Sequence, residues 1–142
     1  MVEYATQRTV SLPRDRAFEQ WKNAMSTLRR LDPGRFKEFR VLRENGNERV
    51  TFCKEVWAGK TYAYTTREDL SPPGGAVQTV IEGAGKGTVS RWTFEPVPTG
   101  TRIRAEFRLR GSMAFFMVLF RKEFTKEFEG SLDRFKKAIE TA

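Results

Sequence analysis

Histidine does not occur among the 142 residues, and cysteine occurs once, at Cys53. The first absence removes the usual general base near neutral pH and the commonest transition-metal ligand. A Ser-His or Cys-His nucleophile is therefore excluded. The second absence rules out an internal disulfide and a thiolate cluster for zinc, so no metal and no cofactor are expected. Long apolar runs are missing too: the longest, Met113 to Phe120, has eight residues, against the roughly 20 needed to cross a bilayer. The N-terminal Met1-Val2-Glu3-Tyr4-Ala5 has no basic segment leading into an apolar one, so no secretory signal is read and a cytoplasmic location is expected. Acidic residues are in short supply, 18 against 26 Lys and Arg, which leaves a charge of +8 and admits nucleic acid, anionic lipid or an acidic ligand as partners.

What is present suits one folded domain spanning residues 1–142. A chain of this length buries roughly 68–70% of its unfolded surface. Tyr4 to Leu12 is rich in Thr, Val and Tyr and stops at Pro13, as a first strand would. From Arg14 the apolar residues Ala17, Phe18, Trp21, Met25 and Leu28 recur at helical spacing. Asp32-Pro33-Gly34 should end that helix, with Phe36 and Phe39 on one further helical turn. Two short helices after the first strand are thus expected.

Turn chemistry then divides the chain into a meander: Asn45-Gly46-Asn47, Ala58-Gly59-Lys60, Pro72-Pro73-Gly74-Gly75, Gly83 to Gly87, and Pro96 to Gly100. The last strand of the series is the clearest. Thr101, Ile103, Ala105, Phe107 and Leu109 alternate with Arg102, Arg104, Glu106, Arg108 and Arg110, which requires an antiparallel sheet with one wet face. After Gly111, with Ser112 as N-cap, the stripe Phe120, Phe124, Phe128, Leu132, Phe135 and Ile139 predicts one helix of nearly thirty residues. The class is α+β: six to seven antiparallel strands curved around a long C-terminal helix, with space left between them.

The stretch Gly87-Thr88-Val89-Ser90-Arg91-Trp92-Thr93-Phe94-Glu95, followed by Gly100-Thr101-Arg102-Ile103, resembles the last hairpin of the START-related polyketide cyclase and lipid-transfer superfamily. The order of elements resembles that superfamily over nearly the whole chain. The resemblance implies a helix-grip fold with a ligand tunnel. It implies no particular reaction, since carriers, hormone binders, cyclases and ring-hydroxylase subunits share that fold. The hydroxylases' iron chemistry is excluded here by the absence of histidine.

Strand phase nominates Phe52 and Lys54, Tyr62 and Tyr64 with Thr66, Trp92 and Phe94, and Phe107 as cavity lining, with Phe116, Phe120 and Phe124 on the helix side. Each aromatic taken singly is accounted for by core packing. Together, 12 Phe, 3 Tyr and 3 Trp suit an apolar pocket with a few orienting hydroxyls. Lys54 lies in phase with Val50, Phe52 and Val56. Pointing inward, it would meet an anionic head group or a carboxylate; near a strand end, it would reach water. Trp57 falls out of phase with that face. Glu55 and Glu82 are carboxylates whose partners the sequence does not name.

Met113 to Phe120 is apolar all round and is expected to be buried; exposed, it would mark a ligand portal, a membrane contact or a homodimer interface. Arg102, Arg104, Arg108 and Arg110 should be solvated, with Arg8 beside them on the first strand. Three functions follow. The first is binding or transport of a lipid, isoprenoid or polycyclic aromatic, without catalysis. The second is a cyclase or dehydratase using a tyrosine or carboxylate. The third is a basic adaptor for nucleic acid or an acidic partner, weakened by the lack of a base-stacking platform near the arginines.

Overall fold

A computed structural model describes residues 2–141. The alternating segments form strands β1 (Val2–Val10), β2 (Phe36–Asn45), β3 (Glu48–Trp57), β4 (Lys60–Ser71), β5 (Gly75–Gly83), β6 (Val89–Val97) and β7 (Gly100–Leu109). The helical segments are α1 (Arg14–Lys22), α2 (Ala24–Leu31), α3 (Gly111–Leu119) and α4 (Arg121–Glu140). All seven strands join one antiparallel sheet in the order β1-β7-β6-β5-β4-β3-β2. The meander accounts for five of the pairings. The sixth brings β1 beside β7, with Val2 opposite Leu109 and Val10 opposite Thr101.

Gly100 is what permits the close end of that pairing. Its φ is +146°, and a Cβ there would stand 2.0 Å from the Val10 carbonyl oxygen, so no other residue fits without moving the strand. Thr101, fully buried, then donates its hydroxyl to the Leu12 carbonyl at 2.8 Å.

α1, α2 and α4 cover the concave face. Phe18 and Trp21 of α1 pack edge-on against Phe94, and Phe135 and Ile139 of α4 complete that cluster. A second cluster lies at the other end, where Phe116, Met117 and Phe124 meet Trp57 and Leu109. Burying each such side chain is worth about 1.5–3 kcal/mol. The space between the two clusters is the cavity described below.

Four local expectations are corrected. The first helical segment ends at Leu31 as Asp32-Pro33-Gly34 requires, but it is also interrupted at Asn23, so α1 and α2 are the two short helices and Phe36 and Phe39 belong to β2 rather than to a further helical turn. The C-terminal helix breaks at Phe120, whose φ and ψ of −126° and 45° leave the helical region. Ahead of the break, Phe116 and Met117 turn toward Trp57 and Leu109; beyond it, Phe124 and Phe128 pack on Tyr4. Ser112 does not cap α3: its Oγ accepts the Gly85 amide at 2.9 Å instead. The apolar run is buried on one side only, since Phe115 and Val118 are 66% and 67% exposed and Leu119 and Phe120 are also open to solvent.

The strand-seven arginines Arg104, Arg108 and Arg110 are exposed and Arg102 is half-buried, as their alternation requires. Arg8 is not beside them. It lies on the concave side, where its guanidinium bonds Glu129 at 2.9 Å and Asp133 at 2.7 Å on α4. Tyr4 and Thr6 donate to the same Glu129 carboxylate at 2.8 and 2.6 Å, so β1 is clasped to α4 by a row of polar contacts.

Candidate functional site: a cavity between sheet and helix

A cavity of about 200 Å³ lies between the concave sheet and α4. Its apolar wall is made by Trp21, Trp92, Phe107, Phe124, Phe128 and Val80. Phe124 and Phe128 stack at 6.0 Å, and Phe107 meets Phe128 edge-on at 5.1 Å. Two polar groups interrupt this wall.

The first is a row crossing four strands. Register places Arg49 opposite Glu68, Glu68 opposite Gln78, and Gln78 opposite Ser90. Arg49 Nε donates to Glu68 Oε1 at 2.5 Å, and Gln78 Nε2 donates to Glu68 Oε2 at 2.5 Å. The Gln78 carbonyl in turn accepts Ser90 Oγ and Trp92 Nε1, each at 2.9 Å. Arg49 Nη2 also caps the Lys22 carbonyl, tying the row to the end of α1 at 2.9 Å. The ion pair is deeply buried, its side chains 6% and 3% exposed, and it is sustained because both partners find further hydrogen bonds.

The second group is Glu55, Tyr64 and Arg35. Tyr64 donates its hydroxyl to Glu55 Oε2, and Cys53 stands across from Tyr64 on β3. Burial raises the Glu55 carboxyl above its ordinary value, against the opposing pull of the Tyr64 hydrogen bond and the Arg35 charge. The same burial, with the Glu55 charge nearby, raises the Tyr64 phenol well above its usual value and pushes the Cys53 thiol up to about 12. Arg35 precedes β2 and lies flat on the Trp57 ring, 3.7 Å from its centroid. Its Nη1 bonds the Glu127 carbonyl at 2.8 Å and Ser131 Oγ at 2.7 Å, both on α4.

Of the residues nominated from sequence, Tyr64, Thr66, Trp92, Phe107 and Phe124 face this cavity. Tyr62 and Phe116 line a separate small void of about 20 Å³ under α3. Phe94 is packed solid against Phe18 and Trp21 rather than facing open space. Phe120 is exposed at the helix break. Phe52 and Lys54 point the other way: Arg40 lies 5.0 Å over the Phe52 ring, and the Lys54 side chain, 45% exposed, stands 3.9 Å from Glu38. The inward residues of β3 are instead Arg49, Thr51, Cys53, Glu55 and Trp57. The phase expected for β3 is therefore inverted, because its inward side carries the polar groups and the apolar Val50, Phe52 and Val56 take the other face. Arg35, Arg49, Glu68 and Gln78 were not anticipated at all.

A curved antiparallel sheet closed by a C-terminal helix over a mostly apolar cavity defines a helix-grip protein of the ligand-cavity type. The chain belongs to the family described as polyketide cyclase/dehydrase and lipid transport, whose sequence model matches residues 1–140. The family thus associates this cavity with apolar ligands or with cyclase-type chemistry. No match to the sequence is found among curated proteins. Among solved structures the chain is similar to TTHA0849 from Thermus thermophilus, at 18% identity and a TM-score of 0.77, covering 99% of this chain and 95% of that one. It is similar to the Zhui aromatase/cyclase from a Streptomyces species, at 14% identity and TM-score 0.69, covering 97% and 95%. It is also similar to norcoclaurine synthase from Thalictrum flavum, solved with dopamine and hydroxybenzaldehyde, at 14% identity and TM-score 0.67, covering 97% and 86%. At these identities the likeness is one of fold.

Proposed function

We propose that the protein binds a small, predominantly apolar molecule of one or two rings, or a short isoprenoid, in the cavity between the sheet and α4. The observation that carries this reading is the space itself, about 200 Å³ walled by Trp21, Trp92, Phe107, Phe124 and Phe128. A packed interior leaves few voids larger than a water, and an apolar cavity of about 150 Å³ accepts benzene. A long-chain lipid does not suit a space of this size. The experiment is a titration with naphthalene followed by tryptophan fluorescence, since Trp21, Trp57 and Trp92 all border the cavity. Saturable quenching at one molecule per chain is expected; a linear, unsaturable response would remove the reading. Native mass spectrometry of the purified protein would then identify any co-purified ligand.

A second reading, acid–base turnover, is favoured by one specific feature: a buried carboxyl of raised pKa, hydrogen-bonded to a tyrosine, faces the cavity. In this reading Glu55 takes a proton from carbon next to a bound carbonyl and returns it, while a neighbouring donor holds the carbonyl oxygen. The test is deuterium exchange at the α-carbon of 2-tetralone, followed by NMR. Acceleration by the wild type and not by Glu55→Gln, with naphthalene binding equal in both, would support turnover. Equal exchange in both proteins leaves a binder only.

A further inference from the structure

Four cationic side chains besides Arg35 border the cavity, Arg8, Lys22, Arg49 and Lys136, and each is already engaged. Arg8 bonds Glu129 and Asp133, Lys22 pairs with Glu44 and Lys136 with Glu140, and Arg49 is committed to Glu68 and the Lys22 carbonyl. These are five ion pairs plus the hydrogen bond to the Lys22 carbonyl. Arg35 differs from all of them. It is 7% exposed, and its Nη1 alone carries every polar contact it makes: the Glu127 carbonyl, Ser131 Oγ, and Glu127 Oε2 at 3.3 Å.

Its Nε is buried with no hydrogen-bond partner, the one such side-chain atom among the described residues. Nη2 has no partner among the described residues either. In a guanidinium, Nε–H and Nη2–H lie on the same edge and point in parallel, the spacing that matches the two oxygens of a carboxylate. Stacking on Trp57 at 3.7 Å and the nearby Phe36 ring at 5.0 Å fix the plane of that edge before any ligand arrives. A buried donor left unpaired is costly in a folded protein, and a built site for a missing acceptor removes that cost.

We propose that the Nε/Nη2 edge of Arg35 receives the carboxylate of an apolar carboxylic acid whose ring system occupies the cavity. This inference rests on the ligand-cavity reading and deepens it, naming the polar end of the ligand. Glu55 shares the wall, but its carboxyl is held by Tyr64, and in its protonated form it is a further donor to an incoming oxygen. The role that sequence phase gave to Lys54 is thereby taken by an arginine on the opposite face of the sheet edge.

The test compares 2-naphthoate with 2-methylnaphthalene, two probes of the same shape that differ in charge, by calorimetry or tryptophan quenching on the wild type, Arg35→Met and Arg35→Lys. The wild type should prefer naphthoate by at least about tenfold. In Arg35→Met the preference, read as the ratio of the two probes' affinities for that same protein, should vanish, and Arg35→Lys should fall between, having charge without a two-point edge. The Arg35 Nε–H resonance of the wild type should shift with naphthoate and stay still with 2-methylnaphthalene, a readout that survives if Arg35→Met fails to fold. Equal binding of both probes by the wild type, a preference retained in Arg35→Met, or an unmoved Nε–H signal at saturation with naphthoate would each overturn the proposal and leave the cavity reading intact. Binding of neither probe would overturn both.

Discussion

Removing Arg49 alone should harm the protein more than removing Arg49 together with its partner. Arg49→Met leaves the Glu68 carboxylate 3% exposed, with Gln78 as its remaining hydrogen-bond donor. Breaking a buried ion pair from one side costs about 3–5 kcal/mol, because the surviving charge stays out of water. In Arg49→Met/Glu68→Leu no charge is stranded. What is lost there is the acceptor of Gln78 Nε2 and the donor to the Lys22 carbonyl, together about 1–3 kcal/mol. The double variant should therefore be more stable than the single one by about 2 kcal/mol, the difference of these two figures. Urea unfolding followed by tryptophan fluorescence measures both, with unchanged m-values as the check that the transition remains two-state. A domain starting from about 5–15 kcal/mol tolerates the single loss well enough to be measured. A double variant less stable than Arg49→Met, or an Arg49→Met loss under about 1 kcal/mol, would refute the claim that the pair is a buried, mutually dependent unit.

The remaining predictions concern the other end of the cavity and the outer sheet. Because the folded-state pKa of Glu55 lies above its ordinary 4.5, the native state holds that proton more tightly than the unfolded chain does. Its contribution is fully present below 4.5 and is lost as pH rises through the folded value, so Glu55→Gln should melt with a flatter pH profile than wild type above that point. Cys53, 3% exposed with its thiol pushed up to about 12, should resist a disulfide reagent at pH near 8 and react at once in urea; rapid native labelling would show that solvent reaches the cavity floor. Replacing Arg104 and Arg108 by Gln should each change stability by about 0.5 kcal/mol or less in thermal melts, and a larger loss would place them in contacts that the outward face of β7 does not contain.

The fold was legible because its signals are local and repeated. The alternation from Thr101 to Leu109, the turns at Gly46, Gly59 and Gly100, and the aromatic stripe from Phe124 to Ile139 all state an element type without reference to any other. The cavity wall was harder, because reading apolar residues as inward inverted β3. The means to correct it were present. A two-residue turn at Ala58-Gly59 fixes Trp57 opposite Lys60, and carrying that pairing along the hairpin sets Arg49 opposite Glu68 and Cys53 opposite Tyr64. Two opposite charges meeting across the hairpin near its open end would then have marked a shared face. Arg35 had no such signal: it sits between a helix and a strand, and its partners Glu127 and Ser131 lie on α4, far away in sequence. The break at Phe120 was equally hidden, since no glycine or proline accompanies it.

The pairing of β1 with β7 sets the order in which the molecule can be assembled on a ribosome. Strands β2 to β6 each meet their next neighbour as soon as a hairpin has emerged. β1 must wait for the chain to reach Thr101, the partner of Val10, an interval on the order of 5–20 s at ordinary rates of synthesis. Throughout that interval Tyr4, Thr6 and Arg8 lack the carboxylates they will bond, since Glu129 and Asp133 are made later still. A nascent chain stalled before β7 is a partial sheet with an unpaired first strand, open to association with its own copies. The cavity is consequently completed late in the making of each molecule, only when α4 closes the space.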